Sequence, residues 1–276
     1  MAGSSAWDPD QYQRFQRERS QPFYDLAALV EREPGMRVVD LGCGTGTLTN
    51  WLHEELGARE TVGVDASPSM LDQAMPLASQ SAPDRASAEG ASADGRGTLR
   101  FERGDIAQFE PDEPFDLVFS NAALQWVEGH EPLLARLARA VAPGGQLAVQ
   151  VPANDDHVSH RSARALAAGP AYRELLGGYE RVFPVLTPVR YAELLHELGF
   201  ARQQVRMQVY AHVLPETRAV IEWVKGSLLT PFRERLPAAA YERFLAEYER
   251  DLLAAEGDRA PYLYAFKRIL LWARRE

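Results

Sequence analysis

Cysteine occurs once in this chain of 276 residues, at Cys43, and lysine only twice, at Lys225 and Lys267. A lone thiol excludes an internal disulfide. Long apolar runs are missing too, so no stretch approaches the length that a membrane span needs. Met1 to Trp7 has no basic region leading into an apolar one, which argues against a secretory leader. Positive charge is in deficit, and the formal net charge is −9. A chain whose main partner is nucleic acid presents a basic face, so this balance argues against such a partner. The six histidines are scattered. His157 and His160 share a helical spacing, but no cysteine or carboxylate cluster accompanies them, so no metal site is expected. These absences leave a soluble cytoplasmic protein with a small-molecule partner.

What positive charge exists is nearly all arginine. A GC-rich genome accounts for that bias; its functional counterpart is bidentate recognition of carboxylates. The length suits one α/β domain with insertions and is enough to bury a sizeable core.

The most telling segment is Val38-Val39-Asp40-Leu41-Gly42-Cys43-Gly44-Thr45-Gly46, with Asp65 nineteen residues beyond Gly46 in Thr61-Val62-Gly63-Val64-Asp65. A short apolar run breaks into alternating glycines, and the next apolar run ends in an acid. Glycine has no Cβ, so its backbone turns sharply and comes close to a ligand. An acid at the tip of the following strand accepts both hydroxyls of a ribose. The spacing is D-x-G-x-G-x-G and not the dinucleotide G-x-G-x-x-G, because Thr47 stands where the last glycine belongs. The expectation is a nucleoside site.

The rest of the chain alternates strands and helices. A helix is expected from Pro9 to Arg32, with Phe15, Phe23, Leu26 and Val30 on or beside one face, stopped by Pro34-Gly35. Strands are expected at Arg37–Leu41, Glu60–Asp65, Thr98–Arg103, Phe115–Ser120 and Gln146–Val151. Helices are expected from about Thr45 to Leu56, from Pro68 behind a Ser67 cap, and from about Glu131 to Val141. Pro143-Gly144-Gly145 reads as the turn into the fifth strand. Further helices are expected at Val158–Ala168, Arg190–Leu198, Thr217–Leu229 and Ala238–Glu256, with strands at Gln203–Val213 and Tyr262–Ala273. Alternation of this kind implies a parallel sheet with right-handed crossovers. The special residues fall at carboxyl ends of strands, the edge where open α/β sheets bind ligands.

One domain over 1–276 is expected. It carries an N-terminal helical lid at 1–34, a flexible insertion at 79–97 without large apolar residues, and helical lid insertions at 152–190 and 214–258.

Asp40, the glycine loop and Asp65 together resemble the class I S-adenosylmethionine (SAM) dependent methyltransferases. The resemblance implies a Rossmann-like fold, a seven-stranded, mostly parallel sheet whose last strand is antiparallel, and SAM as cofactor with S-adenosylhomocysteine as product. It assigns the loop Gly42, Cys43 and Gly44 to the methionine part of SAM and Asp65 to the ribose. Ala66 and Met70 flank the adenine, and Asp105 with Ile106 meets its edge. Asp40 either orients the loop or meets the ammonium group through water, and Cys43 is a small filler. Asn121, after the fourth strand, faces the transferable methyl. The run Asn121-Ala122-Ala123-Leu124 lacks the prolines found where exocyclic amines are methylated.

Tyr12-x-x-Phe15-x-x-Glu18-Arg19-Ser20-x-Pro22, Ser120-Asn121-Ala122-Ala123-Leu124-Gln125-Trp126-Val127, Ile221-Glu222-Trp223-Val224 and the ending Leu271-Trp272-Ala273-Arg274-Arg275 are similar to the trans-aconitate 2-methyltransferases. They also resemble carboxyl methyltransferases of carrier-bound malonate and terpenoid acids. This implies O-methylation of a small carboxylic acid to its methyl ester. Arg19 is the leading contact for a carboxylate, either of SAM or of the substrate, with Phe15, Arg17, Gln125 and Trp126 beside it and Trp223 as a lid residue. No catalytic acid or base is expected, because a carboxylate acceptor is already ionised near pH 7. The rival readings are a methyltransferase of a natural-product acid or an amine, and a SAM-binding protein without catalysis. Monomer and dimer both remain open.

Overall fold

The computed structural model describes residues 20–81 and 97–276. The expectations for the rest of the N-terminal lid and for most of the 79–97 insertion lie outside the described residues. The described chain divides into two compact units. One takes in the chain up to Val151 with Pro184–Met207 and Ile269–Glu276; the other is Pro152–Phe183 with Gln208–Arg268.

The first unit opens with a helix, α1, over 20–27. It stops short of the expected Arg32, because the backbone turns at 28–30 ahead of Gly35, whose φ is +69°. Five parallel strands follow: β1 (Arg37–Leu41), β2 (Glu60–Asp65), β3 (Thr98–Arg103), β4 (Phe115–Asn121) and β5 (Val141–Pro152). With β6 (Phe200–Leu214) and β7 (Tyr262–Arg275) the sheet order is β3-β2-β1-β4-β5-β7-β6. Strands β6 and β7 each run from one unit into the other. Gln146 of β5 meets Trp272 of β7, and Ala153 donates to the carbonyl of Lys267. Partner numbers fall as chain numbers rise, so β7 runs antiparallel to β5.

Val38, Val39 and Leu41 are fully buried, as a strand covered on both faces requires. The helices are α2 (Thr47–Leu56), α3 (Pro68–Ser81), α4 (His130–Arg139) and, in the 184–207 segment, α7 (Pro188–Glu197). Phe23, Leu26, Met36, Leu52, Phe119 and Trp272 pack in one cluster. Gln146 is buried beside it with every polar atom used. Its Oε1 accepts from the Trp272 indole and the Glu31 backbone N–H, each at 2.8 Å, and its Nε2 donates to the Glu31 carbonyl at 2.7 Å.

The expected turn Pro143-Gly144-Gly145 is instead a bulge inside β5. Register passes from Phe115↔Val141 to Leu117↔Gln146, two steps on one strand against five on the other. Gly144 takes φ +73°, and a Cβ on Gly145 would lie 2.9 Å from the Ala142 carbonyl oxygen.

The second unit holds α5 (Val158–Ala168), α6 (Pro170–Arg173), α8 (Ala219–Lys225), α9 (Thr230–Arg235) and α10 (Ala238–Glu256). The single helix expected over Thr217–Leu229 is shorter, and α9 follows it. Asn154, Ser159 and Tyr264 form a buried polar group: Asn154 Nδ2 donates to the Tyr264 hydroxyl at 3.2 Å. His157 caps α5 by accepting the Ser159 backbone N–H, and burial pushes His160 down to about 3. Among the described residues no group of His, Cys, Asp and Glu could hold a metal ion, and no helix is long and apolar enough to cross a membrane.

Candidate active site

Parallel pairing sets the carboxyl ends of β1 to β4 along one edge of the first unit. The loop after β1 is held there by Val64, whose carbonyl accepts the N–H groups of Gly42 and Cys43 at 2.8 and 3.1 Å. The glycines have separate duties. Gly42 has φ +83°, and a Cβ on it would lie 2.2 Å from the Ala123 Cβ. Gly46 has φ +74° and caps α2, and a Cβ there would meet Phe101 at 2.6 Å. Only at Gly44 of the three does a Cβ meet nothing within 4 Å. Gly44 is thus the one that presents open backbone, and the other two are fixed by packing within the protein. Cys43 is a buried filler against Leu71, Ala74, Leu99 and Phe101, and burial pushes its thiol up.

The three acids differ in setting. Asp65 Oδ2 accepts the Gly44 N–H at 2.9 Å and Oδ1 accepts the Ser67 N–H at 2.8 Å. A carboxylate offers about four lone-pair sites, so capacity for a ligand diol remains. Asp105 caps the 3-10 turn Ile106–Gln108 by accepting the Ala107 N–H at 2.9 Å. The Ile106 Cδ1 lies 3.5 Å from the position of a Cβ on Gly42, at the base of the loop. Ala66 and Met70 are exposed beside Asp65, Met70 by 41%.

Asp40 is only 2% exposed, and its Oδ2 accepts the Thr49 hydroxyl at 2.6 Å. That bond ties the end of β1 to α2. Burial pushes its carboxyl up to about 7; the Thr49 hydroxyl opposes this and the charge of Asp65 adds to it. The folded state therefore holds the proton more tightly than the unfolded chain. Stability falls as pH rises from about 4 to about 7, by a limit on the order of 4 kcal/mol. Asp40→Asn keeps an acceptor for Thr49 and removes the titration. Its melting temperature should decline less than that of the parent between pH 5 and 8.5; parallel curves would refute the assignment.

At the end of β4, Asn121 leads into Ala122, which has φ +53° and is the one non-glycine residue with positive φ among those described. The Ala122 N–H donates to the Gln150 carbonyl at 2.9 Å, and its own carbonyl accepts Gln125 Nε2 at 2.6 Å. This fixes which end of the Gln125 amide is which. Gln125 Oε1 and Asn121 Oδ1 are then buried acceptors with no donor. An orphaned acceptor costs free energy, so each of the two is a candidate contact for a ligand. Trp126 is 55% exposed next to them.

Sequence reasoning missed what supports this turn. His130, buried at the start of α4, places Nε2 2.9 Å from the Leu124 carbonyl and Nδ1 2.5 Å from the Tyr191 hydroxyl. A carbonyl only accepts, so Nε2 carries the proton and Nδ1 accepts from Tyr191. Burial lowers the His130 pKa, in keeping with a neutral ring. The Tyr191 hydroxyl in turn accepts the Leu186 N–H at 3.2 Å. No local signal links His130 to Tyr191, which are 61 positions apart. Ser120, the first residue of the Gln-Trp motif, donates to the Leu41 carbonyl at 2.7 Å, a bond that the sequence does not signal.

Phe15, Arg17 and Arg19 lie outside the described residues. Trp223, the expected lid residue, lies on α8. It is 8% exposed in the second unit, with its ring 4.5 Å from that of His212 and 6.1 Å from that of Tyr264. The i, i+3, i+4 pattern of Val220, Trp223 and Val224 on α8 makes this a packing face, and burial of the indole follows.

Comparisons with known proteins give the family. A model of the methyltransferase domain matches residues 12–205. The protein named trans-aconitate 2-methyltransferase from Deinococcus radiodurans is 44% identical over 275 residues, 98% of each chain. That of Variovorax paradoxus is 38% identical, again over 98% of each. A solved S-adenosylmethionine dependent methyltransferase from Mesorhizobium loti shares the fold, with a TM-score of 0.51 at 23% identity over 93% of this chain and 98% of that one. With a glycine loop, a strand-end acid and two donor-seeking amides on one sheet edge, and kinship along its whole length, the chain belongs to the trans-aconitate 2-methyltransferase family of SAM-dependent methyltransferases.

Proposed function

We propose that this protein methylates a carboxylate of a small polycarboxylic acid, trans-aconitate or a close analogue, to its methyl ester. The observation that carries the substrate is near full-length identity of 36–44% to relatives named for it. When bound, SAM supplies a methyl group on a sulfonium centre, so an acceptor oxygen forms the new C–O bond while sulfur keeps the electron pair of the broken C–S bond. No proton moves, because the acceptor is a carboxylate. The chain's work is placement and exclusion of water.

Asp65 takes the ribose diol and Asp105 the adenine edge, with Ala66, Met70 and Ile106 flanking. Gly42, Cys43 and Gly44 carry the amino-acid end. Asn121 and Gln125 offer their orphaned acceptors where the methyl is passed, and Trp126 walls the acceptor. Arg19, with Phe15 and Arg17, keeps its proposed carboxylate role on sequence motif alone. The setting is cytoplasmic, with no nucleic-acid partner.

Incubation with labelled SAM and a panel of acids tests this. Trans-aconitate should yield a methyl ester; methyl transfer to none of the acids, with SAM still bound, would overturn it. The turn carrying Gln125 and Trp126 depends on His130, so Tyr191→Phe should matter. It strands His130 Nδ1 and the Leu186 N–H, at about 2 kcal/mol of stability. The kinetic loss should fall on KM and kcat for the acid while affinity for S-adenosylhomocysteine holds. Loss of both affinities in equal measure would make the pair merely structural.

A further inference from the structure

Every described residue with a positive φ is a glycine except Ala122, at +53°. A side chain in that region is strained, glycine would relieve it, and such strain persists only where the surroundings enforce it. Here bonds on both sides of the residue do so. The Ala122 N–H donates to the Gln150 carbonyl at 2.9 Å, and the Ala122 carbonyl accepts Gln125 Nε2 at 2.6 Å. The 3-10 turn Leu124–Trp126 brings Gln125 back to that carbonyl and closes with the Val127 N–H on the Leu124 carbonyl at 2.9 Å. In an extended or right-handed conformation the Ala122 carbonyl would turn away from Gln125. The amide would then be free to flip, with its N–H2 where Oε1 now stands. The strained backbone thus decides the sign of the dipole that Gln125 presents.

That dipole selects a kind of partner. Gln125 Oε1 and Asn121 Oδ1 are both buried acceptors without a donor. An ionised carboxylate has no hydrogen to give, and its charge is repelled by carbonyl oxygens, so the acceptor acid does not suit them. They call for a donor or a positive charge. On the cofactor reading above, Asp65 takes the diol and Asp105 the adenine edge, which leaves the ammonium and the sulfonium of SAM. The sulfonium joins the ribose to the amino-acid end, so it belongs between Asp65 and the glycine loop. Loop and turn meet there. Asp65 holds the Gly44 N–H at 2.9 Å, and a Cβ on Gly42 would lie 2.2 Å from the Ala123 Cβ.

We propose that Ala122 is a positioning residue whose left-handed backbone aims Gln125 Oε1, beside Asn121 Oδ1, at the sulfonium of SAM, so that the site prefers SAM to its neutral-sulfur product. The inference rests on the cofactor reading above. Carbonyl oxygens favour a positive charge and the polarised C–H groups of a methyl on it, and S-adenosylhomocysteine has neither at sulfur.

Calorimetry on the full chain without acid, so that no methyl is transferred, tests it by the ratio of SAM to S-adenosylhomocysteine affinity. Gln125→Met keeps the length of the side chain and removes the acceptor. It should lower that ratio about fivefold, with S-adenosylhomocysteine affinity held. Ala122→Gly should lower the ratio about twofold, while its denaturant midpoint stays at or above that of the parent. An unmoved ratio in Gln125→Met overturns the proposal. If both affinities fall together, the acceptor serves the ammonium; if only KM for trans-aconitate rises, it serves the acid. A lowered ratio in Gln125→Met with a parent-like ratio in Ala122→Gly overturns the role of Ala122. Should Gln125→Met fail to fold, Ala122→Gly and Asn121→Ala decide by the same ratio. A parent that prefers SAM through these residues but methylates no acid sinks the proposed activity and leaves this inference standing. Methyl transfer to trans-aconitate with the ratio unmoved in the variants does the reverse.

Discussion

Replacing Asp65 by alanine is expected to weaken binding of S-adenosylhomocysteine by about 30-fold, on the order of 2 kcal/mol. Two losses combine. The ribose hydroxyls lose a charge-assisted acceptor. The Gly44 and Ser67 N–H groups also lose the carboxylate that now takes them at 2.9 and 2.8 Å. Asp65 thus shapes the loop, besides its proposed contact with the ligand. Asp65→Asn separates the two effects in part, since its amide keeps one acceptor but turns N–H2 toward the other backbone donor; its affinity should be intermediate. Calorimetric affinity within twofold of the parent for Asp65→Ala would remove this residue from the site.

Gly42→Ala should be the most damaging change for stability, at about 3 kcal/mol or more of unfolding free energy. The added methyl meets the Ala123 Cβ at 2.2 Å, far inside contact distance, on a backbone at φ +83°. The steric part belongs to a pair, so Ala123→Gly should relieve it. In that background Gly42→Ala should cost only about 1–2 kcal/mol, the backbone share. Gly44→Ala is the control, since its φ is +56° but a Cβ there meets nothing within 4 Å. Denaturant unfolding of the double-mutant cycle decides. An equal cost in both backgrounds would mean that the approach of the β1 loop to the β4 turn is not what requires glycine.

Some of this was written locally. Strands β1, β2 and β3 have the ends expected from the sequence: β1 and β2 are buried along most of their length and read as apolar runs that an acid or a glycine stops, while β3 alternates, with Leu99 and Phe101 buried between polar residues. Helices α5 and α10 were equally plain from their periodicity. The bulge in β5 was not, since Pro-Gly-Gly reads alike as a turn between elements and as a kink within one. Asp40 reads equally well as ligand contact and as scaffold in the sequence, which does not tell that it is buried against Thr49. The packing of Trp223 against the rings of His212 and Tyr264 was not legible either, since the three lie far apart in the chain.

The sequence by itself determined the glycine loop and the strand-end acid on one sheet edge, because a sharp turn without Cβ and an acid at a strand tip are demands on neighbouring residues. Only the tertiary structure decided which glycine lies open, which amides lack donors, and that His130 and Tyr191 brace the turn after β4. Those outcomes depend on groups far apart in the chain. Burial and pairing are properties of the packed whole, and no local pattern encodes them.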